Sequence, residues 1–194
     1  MRGCRPLRDR EVSRILKTLD GRWAARDRAL VLLGVKSGFR ISELLSLRLK
    51  DVVQHRKLVD RVSVRRRSMK GKISGRTVLL HPQARAAVLS WLKQLQPCNR
   101  WRADTYLFVS GKGDNRPITR IHAYRLLRTA CEANQLQGVL ATHSLRKTFA
   151  HRIYERLGHD LIKTQQALGH RSITSTVQYL SFSEAEIDRA IREI

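Results

Sequence analysis

Positive charge constrains what this chain can fold into more than any other feature of its sequence. The 194 residues include 39 Lys and Arg but only 16 Asp and Glu, which gives a formal net charge of +23 at pH 7. Such an excess repels itself in a compact domain, so an apolar core has to outweigh the repulsion. The hydrophobic content of 42% supports one sizeable core and argues against disorder. The length fits one domain with at most a small appendage.

A phosphate backbone is the simplest partner for this charge, because it relieves the repulsion and raises the rate of association. A basic protein on a membrane surface is the alternative. However, the basic residues are spread along the whole chain, and no lone amphipathic basic helix or lipidation motif stands out. There is no run of about 18 apolar residues, and the first six residues lack the apolar stretch of a signal peptide. We therefore expect a cytoplasmic protein that binds nucleic acid and no membrane.

The cysteines and histidines do not follow metal-binding patterns. Cys4, Cys98 and Cys131 lie far apart, and the chain contains no Cys-x-x-Cys or His-x-x-x-His pair. Neither a disulfide framework nor a structural zinc site is expected from these spacings. We predict no metal site and no cofactor.

The spacing of the apolar residues predicts an α+β fold that is mostly α-helical. Apolar β-branched residues cluster in three short segments, with a polar, basic bend between the last two, which predicts a small three-stranded antiparallel sheet with a basic hairpin. These segments are 58–59, 62–64 and 77–80. Arg40 falls where a turn meets a helix, a position from which a side chain can point outward. Helices are expected over 9–19, 22–36, 40–45, 83–95, 119–133, most of the chain after 145, and 183–194.

Four residues in the last third of the chain have the functional groups needed to cleave a phosphodiester without a metal ion: His143, Arg146, His170 and Tyr179. A tyrosine hydroxyl has a pKa of about 10, so its attack on phosphorus at neutral pH needs neighbours that stabilise negative charge. An arginine guanidinium stays charged and binds two nonbridging oxygens at once. Arg40 and Arg146 are therefore candidate phosphate clamps. The histidines can donate to the same oxygens or accept the tyrosine proton.

The 5′ oxygen of the deoxyribose that leaves in this reaction must be protonated. A lysine on a hairpin that enters the minor groove can supply the proton, and the candidates are Lys70 and Lys72. Lys70 is preferred because it lies at the end of a predicted strand. The product is a 3′-phosphotyrosine ester, which retains the energy of the broken bond. A 5′ hydroxyl can therefore reverse the attack, and neither ATP nor a divalent ion is required.

Four sequence boxes, in the expected order and spacing over residues 10 to 182, resemble those of the tyrosine recombinases, the phage integrase family. They are Gly38-Phe39-Arg40-Ile41-Ser42-Glu43-Leu44, His143-Ser144-Leu145-Arg146, Leu168-Gly169-His170 and Tyr179. The resemblance implies the catalytic-domain fold of that family and a site-specific recombinase or integrase that acts on double-stranded DNA. Glu43 matches a frequent acidic position and is expected to orient other groups. The implied catalytic residues are Arg40, a hairpin lysine, His143, Arg146, His170 and the nucleophile Tyr179.

The resemblance also implies a domain division and an assembly. We expect an N-terminal extension at 1–8, the catalytic domain at 9–182 and a C-terminal helix at 183–194. Integrases commonly carry an N-terminal helical domain that closes around DNA, so the chain is either a fragment or similar to the short fimbrial phase-variation recombinases. Recombination requires four strand cleavages, which implies a homo-tetramer on two duplexes, assembled from monomers. The C-terminal helix has one apolar side, suited to docking in a neighbouring protomer or on its own domain: Ile187, Ala190, Ile191 and Ile194.

The basic residues around the predicted hairpin are candidate contacts to the DNA backbone. The segment from 61 to 76 contains no acidic residue, and such a run beside a phosphate-cleaving site is expected to follow the DNA. Two other functions are considered. One is supercoil relaxation without a preferred site, as in the similar type IB topoisomerases, and the other is DNA binding by a non-catalytic regulator. The residues assigned to the DNA backbone are Arg61, Arg65, Arg66, Arg67 and Arg76.

Overall fold

The computed structural model describes residues 3–67, 73–96, 101–180, 188 and 191–193, and the chain divides into two compact units, Met1–Phe149 and Ala150–Ile194. The mostly helical α+β class predicted from the sequence is confirmed. The helices of the described residues are α1 Asp9–Thr18, α2 Ala24–Ser37, α3 Ile41–Ser46, α4 Leu49–Val52, α5 Pro82–Leu95, α6 Arg120–Ala133, α7 Thr142–Arg156, α8 Leu161–Leu168 and α9 Ile173–Leu180. The strands are β1 Val53–Gln54, β2 Lys57–Leu58, β3 Arg61–Arg67 and β4 Ile73–Leu79.

Local sequence explains where the helices of the first unit begin and end. The helix α6 begins after Thr119, whose hydroxyl accepts a hydrogen bond from the backbone N–H of His122 at 3.1 Å. Pro82 is the first residue of α5, a position where a helix needs no N–H donor. Gly38 ends α2 in the left-handed conformation, with a φ of 61° that glycine adopts without strain. The chain therefore turns sharply after α2, and Arg40 becomes the N-cap residue of α3, as predicted.

The strands form two separate antiparallel pairs, whereas the sequence predicted one sheet of three strands. Among the described residues, β3 pairs with β4, so that Val64 lies opposite Arg76, and β1 pairs with β2. The difference has its origin in a tight turn at His55 and Arg56, whose φ angles are both positive, 50° and 61°. Two such residues join antiparallel strands directly, so Leu58 in β2 pairs back onto β1 and does not extend the β3–β4 pair.

Two clusters of buried side chains form the interior of the first unit. The larger cluster includes Leu33 of α2, Phe39 and Trp91 of α5. The smaller cluster joins α1 and α6 to Leu145 of α7. A Cβ atom added at Gly34 of α2 would lie 2.9 Å from the side chain of Leu145, so the glycine permits the close approach of α7. Because Leu145 is buried, the rotation of the first half of α7 is fixed.

The residues before α1 are also attached to the first unit. The backbone N–H of Arg5 donates to the carbonyl of Val139 at 3.0 Å, and the N–H of Leu7 donates to the hydroxyl of Thr148 at 2.8 Å. The Arg5 guanidinium forms two hydrogen bonds with the carboxylate of Glu11, at 2.7 and 2.8 Å. The segment therefore connects α1 with α7, the helix that carries two of the predicted catalytic residues.

The second unit contains the end of α7 together with α8 and α9. The carboxylate of Asp160 caps α8 by accepting a hydrogen bond from the N–H of Lys163 at 2.9 Å. Gly169 ends α8 in the left-handed conformation, and α9 then packs against α8. Leu168 and Leu180 are fully buried. The short turn between the two helices carries His170.

Several sequence predictions concern residues that the structure does not describe. Lys70 and Lys72 lie outside the described residues, as does most of the predicted C-terminal helix at 183–194. Within the described part of the chain, no helix is long and apolar enough to cross a lipid bilayer.

Candidate active site

Arg40 begins α3 and is held there by Glu43. The backbone N–H of Arg40 donates to Oε2 of Glu43 at 2.7 Å, and Nη1 of Arg40 donates to Oε1 at 3.1 Å. A glutamate at this place satisfies an N–H that the start of a helix leaves unpaired. The side chain of Arg40 is 35% exposed and that of Glu43 is 11% exposed. The guanidinium is therefore anchored and still accessible from solvent.

Arg146 reaches the same turn from α7. Its Nη1 donates to the carbonyl of Gly38 and lies 3.9 Å from Oε2 of Glu43. Arg146 is buried, with 1% of its side chain exposed. Two arginines from distant parts of the sequence thus converge on one carboxylate. Because one negative charge faces two positive ones, the cluster has a net positive charge that favours an anion.

His143 lies one helical turn before Arg146, on the same side of α7. The residue is exposed, yet partial desolvation lowers the pKa of its imidazole, and the positive charges of Arg146, Arg40 and Lys147 lower the pKa further. The neutral imidazole is therefore favoured in the free protein, and a neutral imidazole can accept a proton. A bound phosphate would offset the neighbouring cations and raise this pKa.

In the second unit, His170 and Tyr179 pack against each other. Their ring centroids are 5.0 Å apart, and the ring planes are inclined by 53°. The Nδ1 atom of His170 lies 3.0 Å from the hydroxyl oxygen of Thr176. The backbone N–H of His170 donates to the carbonyl of Gln165, and the Gln165 side chain donates back to the carbonyl of His170, both at 3.1 Å. His170 is thus fixed beside the half-buried ring of Tyr179.

Two residues of these clusters were not identified from the sequence. Thr176 precedes Tyr179 by three residues, which places both on one side of α9, and this spacing is the signal that could have indicated its contact with His170. Lys147 contributes to the electrostatic environment of His143. A lysine next to an arginine gives no such signal in a chain with so many basic residues.

The basic hairpin is described only in part. Arg61 is exposed at the start of β3. Arg76 is half-buried, and its guanidinium lies over the ring of Phe39 and donates to the carbonyl of Ser37. The side chains of 65–67, which include three of the predicted DNA contacts, lie outside the described part, as do both candidate lysines. Among the residues that the structure describes, no group of three or more His, Cys, Asp or Glu residues could hold a metal ion.

The mostly helical fold is that of the tyrosine recombinase catalytic domains. Its first unit carries two arginines on one glutamate with an exposed histidine nearby, and its second unit carries a histidine packed on a tyrosine. The chain belongs to the phage integrase family, whose family model matches residues 5–186. It is an enzyme, a tyrosine-type site-specific recombinase.

Several proteins are similar to this chain over most of its length. The probable integrase/recombinase YoeC of Bacillus subtilis is 33% identical over 82% of this chain and 79% of its own length. The type 1 fimbriae regulatory protein FimE of Escherichia coli K12 is 32% identical over 85% of this chain and 79% of its own length. The tyrosine recombinase XerD of Corynebacterium glutamicum is 32% identical over 79% of this chain. This chain spans only 47% of that longer protein.

Solved structures share the fold. The crystal structure of XerA recombinase has a TM-score of 0.76 at 26% identity, and the match covers 97% of this chain and 64% of that one. The catalytic domain of bacteriophage HP1 integrase has a TM-score of 0.58 at 18% identity, and the match covers 98% of this chain and 95% of that one. At 18% identity, the similarity to the HP1 integrase domain shows the fold alone.

Proposed function

We propose that this chain cleaves and rejoins DNA with Tyr179 as the nucleophile. The observation that carries the proposal is the convergence of Arg40 and Arg146 on Glu43. Two guanidiniums beside a single carboxylate can still bind the nonbridging oxygens of one phosphodiester and stabilise the charge that develops on them. In the second unit, the proposed nucleophile Tyr179 packs its ring against the imidazole of His170. Membership in the phage integrase family supports the role of this tyrosine.

In the proposed reaction, the hydroxyl oxygen of Tyr179 bonds to phosphorus, and the bond from phosphorus to the 5′ oxygen breaks. The tyrosine proton passes to His143 or His170. The 5′ oxygen takes a proton from the hairpin lysine, Lys70 or Lys72. The strand is left as a 3′-phosphotyrosyl ester, and attack by the 5′ hydroxyl of another strand reverses the steps and completes strand exchange.

The electrostatics of His143 support a role in proton transfer. Desolvation and the neighbouring cations lower its pKa, so the free protein holds the imidazole in the form that accepts a proton. The same cations are the proposed ligands of the phosphate. Binding of DNA therefore changes the charge around His143 before the proton is transferred.

The proposal is tested by the capture of a covalent adduct. The protein is incubated without magnesium with a pool of nicked suicide duplexes whose arms are randomised, and adducts that resist denaturation are isolated and sequenced. We expect one sequence to be enriched and its 3′ end to be joined to Tyr179. The variant Tyr179→Phe should give no adduct. Tyr154→Phe is the matched control, because Tyr154 packs on His159 in the same unit and keeps the nucleophile intact.

The outcomes separate the three functions considered from the sequence. No adduct from the unmodified protein, or an adduct that persists in Tyr179→Phe, would overturn the mechanism. Binding without any adduct would indicate a non-catalytic regulator. Adducts without an enriched sequence, together with relaxation of an arbitrary supercoiled plasmid, would indicate a type IB topoisomerase activity.

We also propose that the free protein is a monomer in the cytoplasm and that four protomers assemble on two duplexes of nucleoid DNA. In this assembly, the C-terminal helix at 183–194 docks on a neighbouring protomer through Ile187, Ala190, Ile191 and Ile194. Deletion of residues 184–194 should leave binding to one duplex intact and abolish the synaptic species in analytical ultracentrifugation. Synapsis by the truncated chain would contradict the docking.

A further inference from the structure

The turn that presents Arg40 is held by the hairpin as well as by α7. Arg76 of β4 donates through Nη2 to the carbonyl of Ser37, and its Cζ lies 5.0 Å from the centroid of the Phe39 ring. Ser37 and Phe39 are buried, with 2% and 1% exposed. One guanidinium therefore contacts two of the three residues that immediately precede Arg40.

These contacts make use of the shape of the guanidinium as well as its charge. A planar group that stacks on an aromatic ring and donates to a carbonyl is held in one orientation. Arg76 is half-buried in the middle of β4, in contrast with Arg61 at the open end of the same pair of strands, which is exposed. The sequence alone predicted that both arginines contact the DNA backbone, but only Arg61 presents an exposed side chain for it.

We propose that Arg76 is a positioning residue for strand cleavage, and this inference rests on the proposed function of Arg40. By joining the middle of β4 to the turn at Ser37 and Phe39, Arg76 holds the paired strands and the start of α3 in a fixed relation. The guanidinium of Arg40 is then presented to the phosphate from a rigid turn. Because a small displacement of a catalytic group is costly, loss of Arg76 slows cleavage on the order of 100-fold without a matching loss of affinity.

The test compares Arg76→Met, Arg76→Lys and Arg61→Met on the duplex enriched in the adduct experiment. The affinity is measured at several salt concentrations, and the first-order rate of adduct formation is measured with the DNA saturated. We expect Arg76→Met to lower the rate and leave the salt dependence of binding unchanged. Arg76→Lys keeps the charge but not the planar group and should restore little of the rate. Arg61→Met is the binding control and should weaken the affinity and reduce its dependence on salt.

A measurement that does not depend on catalysis accompanies the kinetics. The N–H of Phe39 donates to the hydroxyl of Ser37 at 3.3 Å, and the N–H of Arg40 donates to Glu43. Without DNA, Arg76→Met should increase hydrogen exchange at these two amides, while Arg61→Met should not. This readout stands even if the unmodified protein forms no adduct, so failure of the proposed function and failure of the positioning role are distinguishable.

A second variant covers the case in which Arg76→Met does not fold. Phe39→Leu keeps an apolar side chain but removes the ring, and it should also slow cleavage of saturated DNA and increase exchange at Arg40. The inference is overturned if the Arg76 variants cleave bound DNA at the unmodified rate, or if Arg76→Lys restores a lost affinity. Either result would assign Arg76 to the phosphate backbone instead.

Discussion

Glu43 is the residue on which the positions of both clamp arginines depend. Its carboxylate accepts two hydrogen bonds from Arg40 and faces Arg146 at 3.9 Å. The variant Glu43→Gln keeps the size of the side chain but removes its charge and one acceptor. Because charge-assisted hydrogen bonds are lost at a mostly buried place, we expect the free energy of unfolding to fall by about 1–3 kcal/mol. The measurement is urea denaturation.

The matched control for this variant is Glu132→Gln. Glu132 forms an ion pair with Arg128 at 2.7 Å, but both side chains are about 60% exposed, at 62% and 59%. Exposed pairs contribute little, so we expect a clearly smaller change than at Glu43. Equal losses in the two variants would show that Glu43 has no special role in holding the arginines.

The pKa of His143 should depend on the positive charges of its neighbours. Removal of one positive neighbour by Lys147→Met or Arg40→Met should raise the pKa of the imidazole, because each cation lowers it. The pKa is measured by following the imidazole carbon-bound protons of His143 by NMR between pH 4 and 8, an interval set about the ordinary histidine value. An unchanged or lower pKa in both variants would show that Arg40 and Lys147 do not contribute to the shift.

The lowered pKa of His143 also predicts the direction in which its contribution to stability depends on pH. The folded-state pKa lies below the unfolded-state value of about 6.5, so between the two values the unfolded chain binds more protons. The stabilising contribution is therefore present above the unfolded-state pKa and is lost as the pH falls through the folded-state pKa. Replacement by Asn should remove this part of the acid sensitivity.

At the scale of structural elements, the turn between α2 and α3 depends on Gly38. Its φ is 61°, and an added Cβ would overlap the ring of Phe149. Gly38→Ala therefore combines the cost of a left-handed alanine, about 1–2 kcal/mol, with that of an overpacked core, about 1–3 kcal/mol. We expect the free energy of unfolding, measured by thermal or urea denaturation, to fall by the sum of these two costs. The rate of strand cleavage should fall as well.

The variant Gly21→Ala measures the conformational cost without the steric cost. Gly21 has a φ of 72°, and an added Cβ would meet no atom within 4 Å. The control should therefore lose only the conformational part, about 1–2 kcal/mol, and leave cleavage unchanged. If Gly38→Ala were no worse than Gly21→Ala, the ring of Phe149 would have moved aside, and the steric argument would be wrong.

The helices could be predicted because their signals are local. Thr119 before α6, Pro82 at the start of α5 and Gly38 at the end of α2 each act within a few residues, and the ranges predicted for these helices agree with the structure to within two residues. The arrangement of the strands could not be predicted in the same way. It depends on positive φ angles at His55 and Arg56, which neither residue type indicates.

One contact of the candidate site follows from local sequence, and the others depend on tertiary packing. Arg40 and Glu43 are three residues apart at a helix start, so their hydrogen bond follows from sequence. The approach of Arg146 to Glu43 depends on the packing of α7 onto α2, which involves the whole core. The half-burial of Arg76 on Phe39 likewise requires the hairpin to meet the turn, and a basic run in a sequence does not distinguish packed from exposed arginines.

For the molecule as a whole, the net charge of +23 overstates the charge that DNA can use, because part of it serves the fold. Arg26 is 2% exposed and donates to the carbonyl of Val109 and the carboxylate of Asp27. Arg14 donates to the carbonyl of Asn134 just after α6. Donors of this kind satisfy carbonyls that helix ends leave unpaired. Some arginines of this chain therefore act mainly as hydrogen-bond donors within the fold.

This division predicts two different effects of removing one arginine. Arg28 donates to the carbonyls of Leu16 and Leu19 at the end of α1, so Arg28→Gln should lower the free energy of unfolding by about 0.5–1.5 kcal/mol. Its DNA binding should keep the original salt dependence.

Arg61→Gln removes an exposed arginine and should keep the free energy of unfolding. The slope of log affinity against log salt should fall by about 0.9, the value for one phosphate contact on duplex DNA. Equal slopes for Arg61→Gln and the unmodified protein, measured from 50 to 200 mM salt, the interval over which such contacts separate, would remove Arg61 from the interface.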